Sequence, residues 1–355
     1  MAQLKAGSTV GGVAMLLALK PSNLVEGAGT VNQFLGVDAN NNVQFLTVFQ
    51  SQMQGTLKAY SSGGANNTPS ALSTIDSFPF TAPFTTATSV GSLSTIRAGT
   101  AGQSSPTNGF ASGGSNNTVF TAAVDRFPFT APFTTATNIG SLSSARTGVA
   151  GSSSPTSGWG IGGVPPGSLE GTTIDYFPFS APFTTATSAG NLNVGRARLA
   201  STASNLTAFV TGGQSAPSNS FESFPFSAPF TTATSLGNLF PSRRSSMGQS
   251  SIQTGYISGG FTSPPSTYVA TIDSFPFTAP FAATTSVGSL SQARTTGASQ
   301  SSTSSGYSSG GTTNPAAVTN SSNRIDSFPF SAPFTTATNN GSLSVARWIV
   351  SGQQY

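Results

Sequence analysis

Phenylalanine and proline recur together along most of the chain, and this apolar pattern is the most regular feature of the sequence. The motif Phe-Pro-Phe-Thr/Ser-Ala-Pro-Phe occurs six times, at spacings of 49, 50, 47, 51 and 53 residues. Its first residues are Phe78, Phe127, Phe177, Phe224, Phe275 and Phe328. A period of this length predicts that each copy forms one supersecondary unit of a repeat architecture.

Further positions keep a constant register with this motif. An arginine follows nineteen residues after the first phenylalanine in every copy, namely Arg97, Arg146, Arg196, Arg243, Arg294 and Arg347. A second motif, aromatic-x-x-Gly-Gly, begins at Tyr60, Phe110, Trp159, Phe209, Tyr256 and Tyr307. A disordered chain has no physical reason to hold such registers, so the abundance of Gly, Ser, Thr and Pro does not indicate disorder here.

Each repeat predicts four short strands, which we name a, b, c and d. Gly-Gly and two prolines per repeat disfavour helices, whereas the intervening Thr, Ser, Phe and Val favour strands. In the second repeat the strands are expected at Ala98–Ser104, at the segment ending in Phe110–Gly114, at Val124–Phe129 and at Thr134–Leu142. Proline removes a backbone donor from a sheet, so Phe-Pro-Phe is expected at the end of strand c and in the turn to strand d.

Four strands in about 50 residues are typical of one blade of a β-propeller. The last eight residues, Trp348 to Tyr355, align with strand a of the other repeats, and the first repeat lacks an arginine sixteen residues before Gly63. The C-terminal strand is therefore expected to complete the first blade and remove an open sheet edge. The alternative is that Thr47 to Gln54 fills this place. Residues 57–355 are thus predicted to form six blades.

Residues 1–56 lie outside the repeats and are predicted to be an anchoring segment. Phe34 to Asp38 and Val43 to Leu46 suggest a β-hairpin. The segment buries too little apolar surface to fold alone, so we expect it to attach to the propeller or to another protein. Its longest apolar run, Val13 to Leu19, is too short for a membrane-spanning helix, which needs about 20 residues.

The composition excludes several kinds of chemistry. The chain contains no Cys and no His, so catalysis by either residue and metal or haem sites that need them are excluded. Only 6% of the residues are charged and the net charge is +4, so the isoelectric point of about 9.7 reflects scarce charges rather than a basic surface. We therefore expect no cofactor, no metal and no nucleic-acid partner.

Six of the nine acidic residues stand two positions before a Phe-Pro-Phe motif. They are Asp76, Asp125, Asp175, Glu222, Asp273 and Asp326. Each repeat thus combines one acid with one arginine. We interpret the set as structural ties between strands or blades; the alternative is a ring of arginines that binds an anion. Six equivalent acids lack the asymmetry that glycoside hydrolysis requires, and we expect no catalytic residues.

The loops between strands b and c are the segments whose length varies among the repeats. Such variation is tolerated where the backbone is exposed, and loops of this kind often carry binding residues. The candidate contacts to a sugar or to a partner's backbone are Asn67, Asn117, Tyr268, Asn314 and Asn320. The alternative is that these loops are merely solvated.

The repeat resembles the kelch repeat. Tyr256 to Gly260 is similar to the kelch strand that ends in Gly-Gly, Ile272 to Phe275 to the following strand, and Gly288 to Arg294 to the segment before the next blade. This resemblance implies an all-β, six-bladed, kelch-like β-propeller preceded by a short non-repeating hairpin segment.

The first twelve residues and Phe34 to Asn40 resemble structural and tail-fibre proteins of tailed phages, particularly cyanophages. This resemblance implies a non-enzymatic virion protein, a fibre or decoration protein present in multiple copies. Residues 1–56 would bind other virion proteins, and the propeller would contact a host-surface glycan or stabilise the particle. The alternative is a cellular adhesin or scaffold that binds glycan or peptide through a propeller face.

Overall fold

The computed structural model describes the backbone of residues 33–37 and 43–47, and it describes residues 54–355 apart from 69, 82–83, 131, 181, 214–218, 228, 239–241, 264–266, 279–280, 282–283, 314–319 and 332–333. The chain divides into two compact units, Met1–Gln50 and Ser51–Tyr355. In the first unit, β1 (Gln33–Val37) and β2 (Val43–Thr47) pair antiparallel, which confirms the predicted hairpin. The rest of the predicted anchoring segment, up to residue 53, lies outside the described residues.

The second unit consists of six antiparallel four-stranded sheets, so the predicted six-bladed β-propeller is confirmed. The a strands are β6 (Ala101–Ser104), β10 (Ala150–Ser153), β14 (Ala200–Ala203), β18 (Met247–Ser250), β24 (Ala298–Ser301) and β28 (Ser351–Gln354). The b strands are β3 (Lys58–Ser62), β7 (Asn108–Ser112), β11 (Ser157–Ile161), β15 (Thr207–Thr211), β19 (Thr254–Ser258) and β25 (Ser305–Ser309).

The outer two strands of each blade follow the same pattern. The c strands are β4 (Thr74–Pro79), β8 (Ala123–Pro128), β12 (Thr173–Pro178), β16 (Ser220–Pro225), β22 (Thr271–Pro276) and β26 (Arg324–Pro329). The d strands are β5 (Thr88–Ser92), β9 (Thr137–Ser141), β13 (Thr187–Asn191), β17 (Thr234–Asn238), β23 (Thr285–Ser289) and β27 (Thr338–Ser342). A small hairpin of β20 (Phe261–Thr262) and β21 (Thr267–Tyr268) lies in the b–c loop of blade 5. Among the described residues no helix is long and apolar enough to cross a membrane.

The first blade is closed by the C-terminal strand. Its sheet has the order β28-β3-β4-β5, with Ser351 opposite Ser62 and Gln354 opposite Ala59. The expectation for Trp348 to Tyr355 is therefore confirmed at this strand, and the alternative that Thr47 to Gln54 fills the place is wrong.

The six a strands face one another around the propeller axis. Each contacts the a strands of both neighbouring blades, and β28 contacts β24 and β6, so the circle is closed. The strands approach so closely that a Cβ atom on Gly102 would overlap the Gly352 carbonyl, and one on Gly151 would overlap the Gly102 carbonyl. The channel is consequently narrow inside the propeller.

The hydrophobic core is divided among the six junctions between blades. At each junction the aromatic residue of strand b contacts the Phe-Pro-Phe motif of the next blade. Tyr60, for example, lies with its ring centroid 5.6 Å from that of Phe127 and 4.9 Å from that of Phe129. Tyr307 of blade 6 contacts Phe78 and Phe80 of blade 1 in the same manner. The repeated aromatic residues therefore hold neighbouring blades together.

Strands a and d of blade 2 each begin three residues later than the sequence predicts, and both differences arise from contacts between blades; the other boundaries stated for this blade agree within two residues. Strand a of blade 2 begins at Ala101 rather than Ala98, because the preceding residues join a ring around the channel that is described below. Strand d begins at Thr137 rather than Thr134, because residues 134–136 bond to Ser92 of blade 1. The Phe-Pro-Phe prediction is confirmed, since all six c strands end at the motif's proline.

Candidate functional site

Each repeat arginine forms an ion pair with the acid of the blade that it precedes. The pairs are Arg97 with Asp125, Arg146 with Asp175, Arg196 with Glu222, Arg243 with Asp273, Arg294 with Asp326 and Arg347 with Asp76. The side chains of these arginines are at most 1% exposed and those of the acids at most 6%. Solvent and ligands therefore have no direct access to these charges.

Hydrogen bonds complete the surroundings of each pair. Asp125 accepts from the backbone N–H of Ser94 at 2.7 Å and from its hydroxyl at 2.8 Å. Arg97 donates to the carbonyl of Gly113, the first glycine of Gly-Gly, at 3.1 Å and to that of Ala123 at 2.8 Å. Burial lowers the pKa of Arg97, and the charge and hydrogen bond of Asp125 oppose this shift. The pair thus ties strand c and the b–c loop to the segment entering strand a.

A set of glutamines that the sequence analysis did not single out joins the a strands to the next blade. Four blades carry Gln103, Gln249, Gln300 and Gln353 six residues after the repeat arginine. Each Nε2 donates to the backbone carbonyl of the next blade's strand b aromatic, at 2.9 to 3.0 Å. The constant six-residue spacing from the repeat arginine could have identified these glutamines in the sequence. The pattern is incomplete, because Ser152 and Thr202 occupy the same position in blades 3 and 4.

One mouth of the channel is formed by a closed ring of six backbone hydrogen bonds. The ring residues are Gly99, Gly148, Arg198, Ser245, Thr296 and Ile349, each two positions after a repeat arginine. Each N–H donates to the carbonyl of the preceding member at 2.7 to 3.2 Å, and Gly99 donates to Ile349. All six have φ between 52° and 70°, a region that favours glycine. The ring residues adopt this backbone conformation because it directs each N–H and each carbonyl along the ring.

The b–c loops begin beside this ring. In the five blades whose first loop residue is described, this residue forms an antiparallel bridge with the residue that precedes the ring member of its own blade, as in Ala65 with Trp348, Arg244 with Phe261 and Thr295 with Thr312. The ring members and the residues preceding them make up twelve positions, which we call the rim. Only two rim residues are charged, Arg198 and Arg244, and both lie on the same side of the channel in blades 4 and 5.

A cavity of about 210 Å³ lies between these two arginines and the neighbouring loops. Its wall also includes Phe261, Tyr268 and Trp348. The guanidinium carbon of Arg244 lies 4.5 Å from the centroid of the Phe261 ring, so the charge rests against an aromatic face. Burial raises the pKa of Tyr268, and its hydrogen bond with Thr312 and the charges of Arg244 and Arg198 oppose this shift.

The predicted loop contacts are distributed over this face. Asn67 is exposed and accepts a hydrogen bond from the Ser321 N–H at 2.8 Å, which joins the b–c loops of blades 1 and 6. Asn117 is exposed in the loop of blade 2, with φ of 80°. The Asn320 carbonyl accepts from Thr313 at 3.2 Å within the blade 6 loop. Of the five, Tyr268 lines the cavity, and Asn314 lies outside the described residues.

Arg198, Arg244, Phe261 and Trp348 were not among the predicted contacts. Arg198 and Arg244 lie outside the acid–arginine pattern of the repeats. These residues could have been found in the sequence as departures from the repeat. Arg198 stands where the other blades have Gly, Ser, Thr or Ile, and Phe261 is the only aromatic residue that begins a b–c loop in the sequence.

Comparison with known proteins supports the fold alone. No protein-family model and no curated protein sequence matches the chain. Among solved structures, the chain is similar to the one titled "Structure of YjhT", a kelch-like β-propeller, with a TM-score of 0.61 and 14% sequence identity. The match covers 81% of this chain and 99% of the other. At this identity the likeness carries no information on ligand or activity.

Proposed function

We propose that the chain is a non-enzymatic structural protein of a tailed-phage particle, with an attachment segment at residues 1–56 and a propeller that faces outward. The observation that carries the non-enzymatic part is the burial of all six acid–arginine pairs. These pairs use six of the nine acids for folding. Among the described residues no group of three or more acids is placed to hold a metal ion.

The construction of the propeller supports a role as a rigid platform. Its blades are joined by aromatic contacts, by the glutamine bonds and by the ring at the channel mouth. The b–c loops vary in length on the face that carries the rim, and they present exposed Asn67 and Asn117. A stiff body with variable loops on one face suits binding to a host-surface glycan or to a neighbouring protein.

The location in a virion rests on the resemblance of residues 1–12 and 34–40 to phage structural proteins. In the alternative function, a cellular adhesin or scaffold, the same face would bind glycan or peptide. Both functions use the loop face for binding. They differ in the partner to which residues 1–56 attach, which is the virion in the first function and a cellular structure in the second.

Mass spectrometry of purified phage particles tests the proposal. We expect the protein in a constant ratio to the major capsid protein, and we expect deletion of residues 1–50 to abolish incorporation while the propeller still folds. A protein that is absent from particles and remains with the host cell would contradict the virion role and favour the adhesin.

A further inference from the structure

Arg198 and Arg244 are two cations that face the same cavity without an acid bound to them. Six carboxylates form ion pairs among the described residues, and each of them pairs with a repeat arginine rather than with Arg198 or Arg244. Glu170 is not among the ion-pair partners of the described arginines. Burial, followed by the like charge of Arg244, lowers the pKa of Arg198 despite the opposing charge of Glu170. Two neighbouring guanidinium groups therefore leave an excess of positive charge at the cavity.

Neither arginine is required by the fold at its position. The ring position of Arg198 is occupied by glycine in blades 2 and 3, and the position of Arg244 by alanine at Ala98 and Ala197. Arg198 also holds φ of 57°, where glycine is favoured over any residue with a side chain. Ser245, Thr296 and Ile349 also carry side chains at this φ, so Arg198 differs from its equivalents in its charge rather than in its backbone.

The other cavity residues suit an anionic ligand with a ring or apolar body. Tyr268 and Thr312 provide hydroxyl groups, and Phe261 and Trp348 provide aromatic surface. The Trp348 Nε1–H has no hydrogen-bond acceptor among the described residues. Guanidinium groups bind carboxylate and phosphate oxygens through paired hydrogen bonds.

We propose that this cavity binds the oxyanion of a small ligand, a carboxylate or a phosphate, between Arg198 and Arg244. The ligand's body packs against Phe261 and Trp348, and the Tyr268 and Thr312 hydroxyls complete the contacts. The site goes beyond the proposed attachment role, because it defines a small-molecule site that does not depend on the protein's location in a particle.

Tryptophan fluorescence tests this site directly, since the chain has two tryptophans and Trp159 is buried elsewhere, in the junction of blades 3 and 4. The full-length protein is titrated with inorganic phosphate, glucose 6-phosphate, glucuronate and, as the uncharged control, glucose. We expect saturable quenching by the anions and none by glucose, with the signal lost in Trp348→Phe. If the sugar anions bind more tightly than inorganic phosphate, the natural ligand carries a ring. If the sugar anions and inorganic phosphate bind equally, the site recognises the free anion.

Two variants that copy the equivalent residues of other blades separate binding from folding. Arg198→Gly and Arg244→Ala should each weaken anion binding at least about tenfold, with an unchanged or higher Tm. Arg126→Gln, which removes one positive charge from strand β8, should bind as the unmodified protein does. Higher salt should weaken binding to the unmodified protein.

The site is overturned by absence of saturable anion binding, by equal binding of glucose, or by unchanged affinity in Arg198→Gly and Arg244→Ala. These results are distinct from failure of the proposed function. A protein absent from particles that still binds anions through both arginines would overturn the virion role and leave the site intact.

Discussion

A buried arginine loses the hydration of its guanidinium group, and each repeat arginine replaces that hydration with a carboxylate and backbone carbonyls. Arg294 donates to Asp326 at 3.1 Å and to the Ser308 carbonyl at 2.7 Å, and burial lowers its pKa. Removal of one partner leaves the other charge buried and unpaired, which is more costly than loss of an exposed pair. The acid–arginine pairs should therefore affect stability.

Arg294→Ala is expected to lower the free energy of unfolding by about 3–5 kcal/mol, because Asp326 then stays buried without its cation. Urea denaturation measures the change. Lys58→Gln, at an exposed position, serves as the control and should change stability by no more than about 0.5 kcal/mol. An Arg294→Ala protein as stable as the control would contradict the structural role.

Tyr60 makes stability depend on alkaline pH. Its hydroxyl donates to the Phe129 carbonyl at 3.0 Å, and burial, followed by the nearby Tyr355, raises its pKa to about 12. A raised pKa in the folded state stabilises the protein fully below the unfolded value of about 10, and this contribution is lost as the pH rises toward 12. We expect a loss of about 1.4 kcal/mol at about pH 11.

Comparison of urea denaturation at about pH 9 and about pH 11 checks this expectation. Tyr60→Phe should be less stable at the lower pH, because it lacks the hydrogen bond, and should lose less stability between the two values. Equal pH dependence in the two proteins would assign the effect to other groups.

At the scale of the elements, five of the six d strands hold a glycine against the last phenylalanine of the next blade's apolar motif. This glycine stands thirteen residues after the first phenylalanine of its own blade's motif. The Phe334 ring of blade 6 lies against Gly288 of blade 5, where a Cβ atom would overlap it. The same relation joins Phe133 to Gly91 and Phe84 to Gly341. The constant thirteen-residue spacing therefore places in five d strands a glycine that receives the ring of the next blade, whereas no atom lies within 4 Å of a Cβ built on Gly237 in blade 4.

Gly288→Ala should destabilise the protein by about 1–3 kcal/mol, because the added methyl group overpacks the ring of Phe334. Phe334→Leu should also be destabilising, since it removes aromatic contacts with Phe328. The double variant should lose less than the sum of the two changes, because the smaller side chain leaves room for the methyl group. Strictly additive effects in urea denaturation would show that the two residues are not coupled.

The sequence predicts the strands well where a residue's role is repeated. The constant registers indicate the blades, the closing strand and the ends of the c strands, because six copies of one pattern average out local irregularities. The cavity at the mouth was not predictable in this way. Arg198, Arg244, Tyr268 and Trp348 come from three blades that meet only when the propeller closes, and each departs from the repeat in a different manner.

For the whole molecule, closure by the C-terminal strand is the feature with the largest expected effect. Strand β28 pairs with β3, and Gln353 donates to the Phe110 carbonyl of blade 2 at 2.9 Å. Its removal opens the ring of a strands and exposes the edge of β3.

Deletion of residues 348–355 should therefore leave a protein that is insoluble or has a much lower Tm. Thermal unfolding of the purified protein gives the comparison, and a chain with a short Gly-Ser extension after Tyr355 is the control for changes at the terminus. A synthetic peptide of residues 348–355 should restore part of the lost stability. A deletion variant that keeps the full Tm would refute closure by this strand.

The pairing of β28 with β3 also determines when the protein can fold during its synthesis. The hydroxyls of Ser62 and Ser351 are bonded across 289 residues of sequence. At the translation rates of about 5–20 residues per second that are usual in cells, the ribosome needs roughly 15–60 s to make that stretch. Until then the nascent chain carries its blades in an open arc in which one edge of β3 has no partner strand. A chain released before the last codons therefore keeps an open sheet edge that can pair with a strand of another copy.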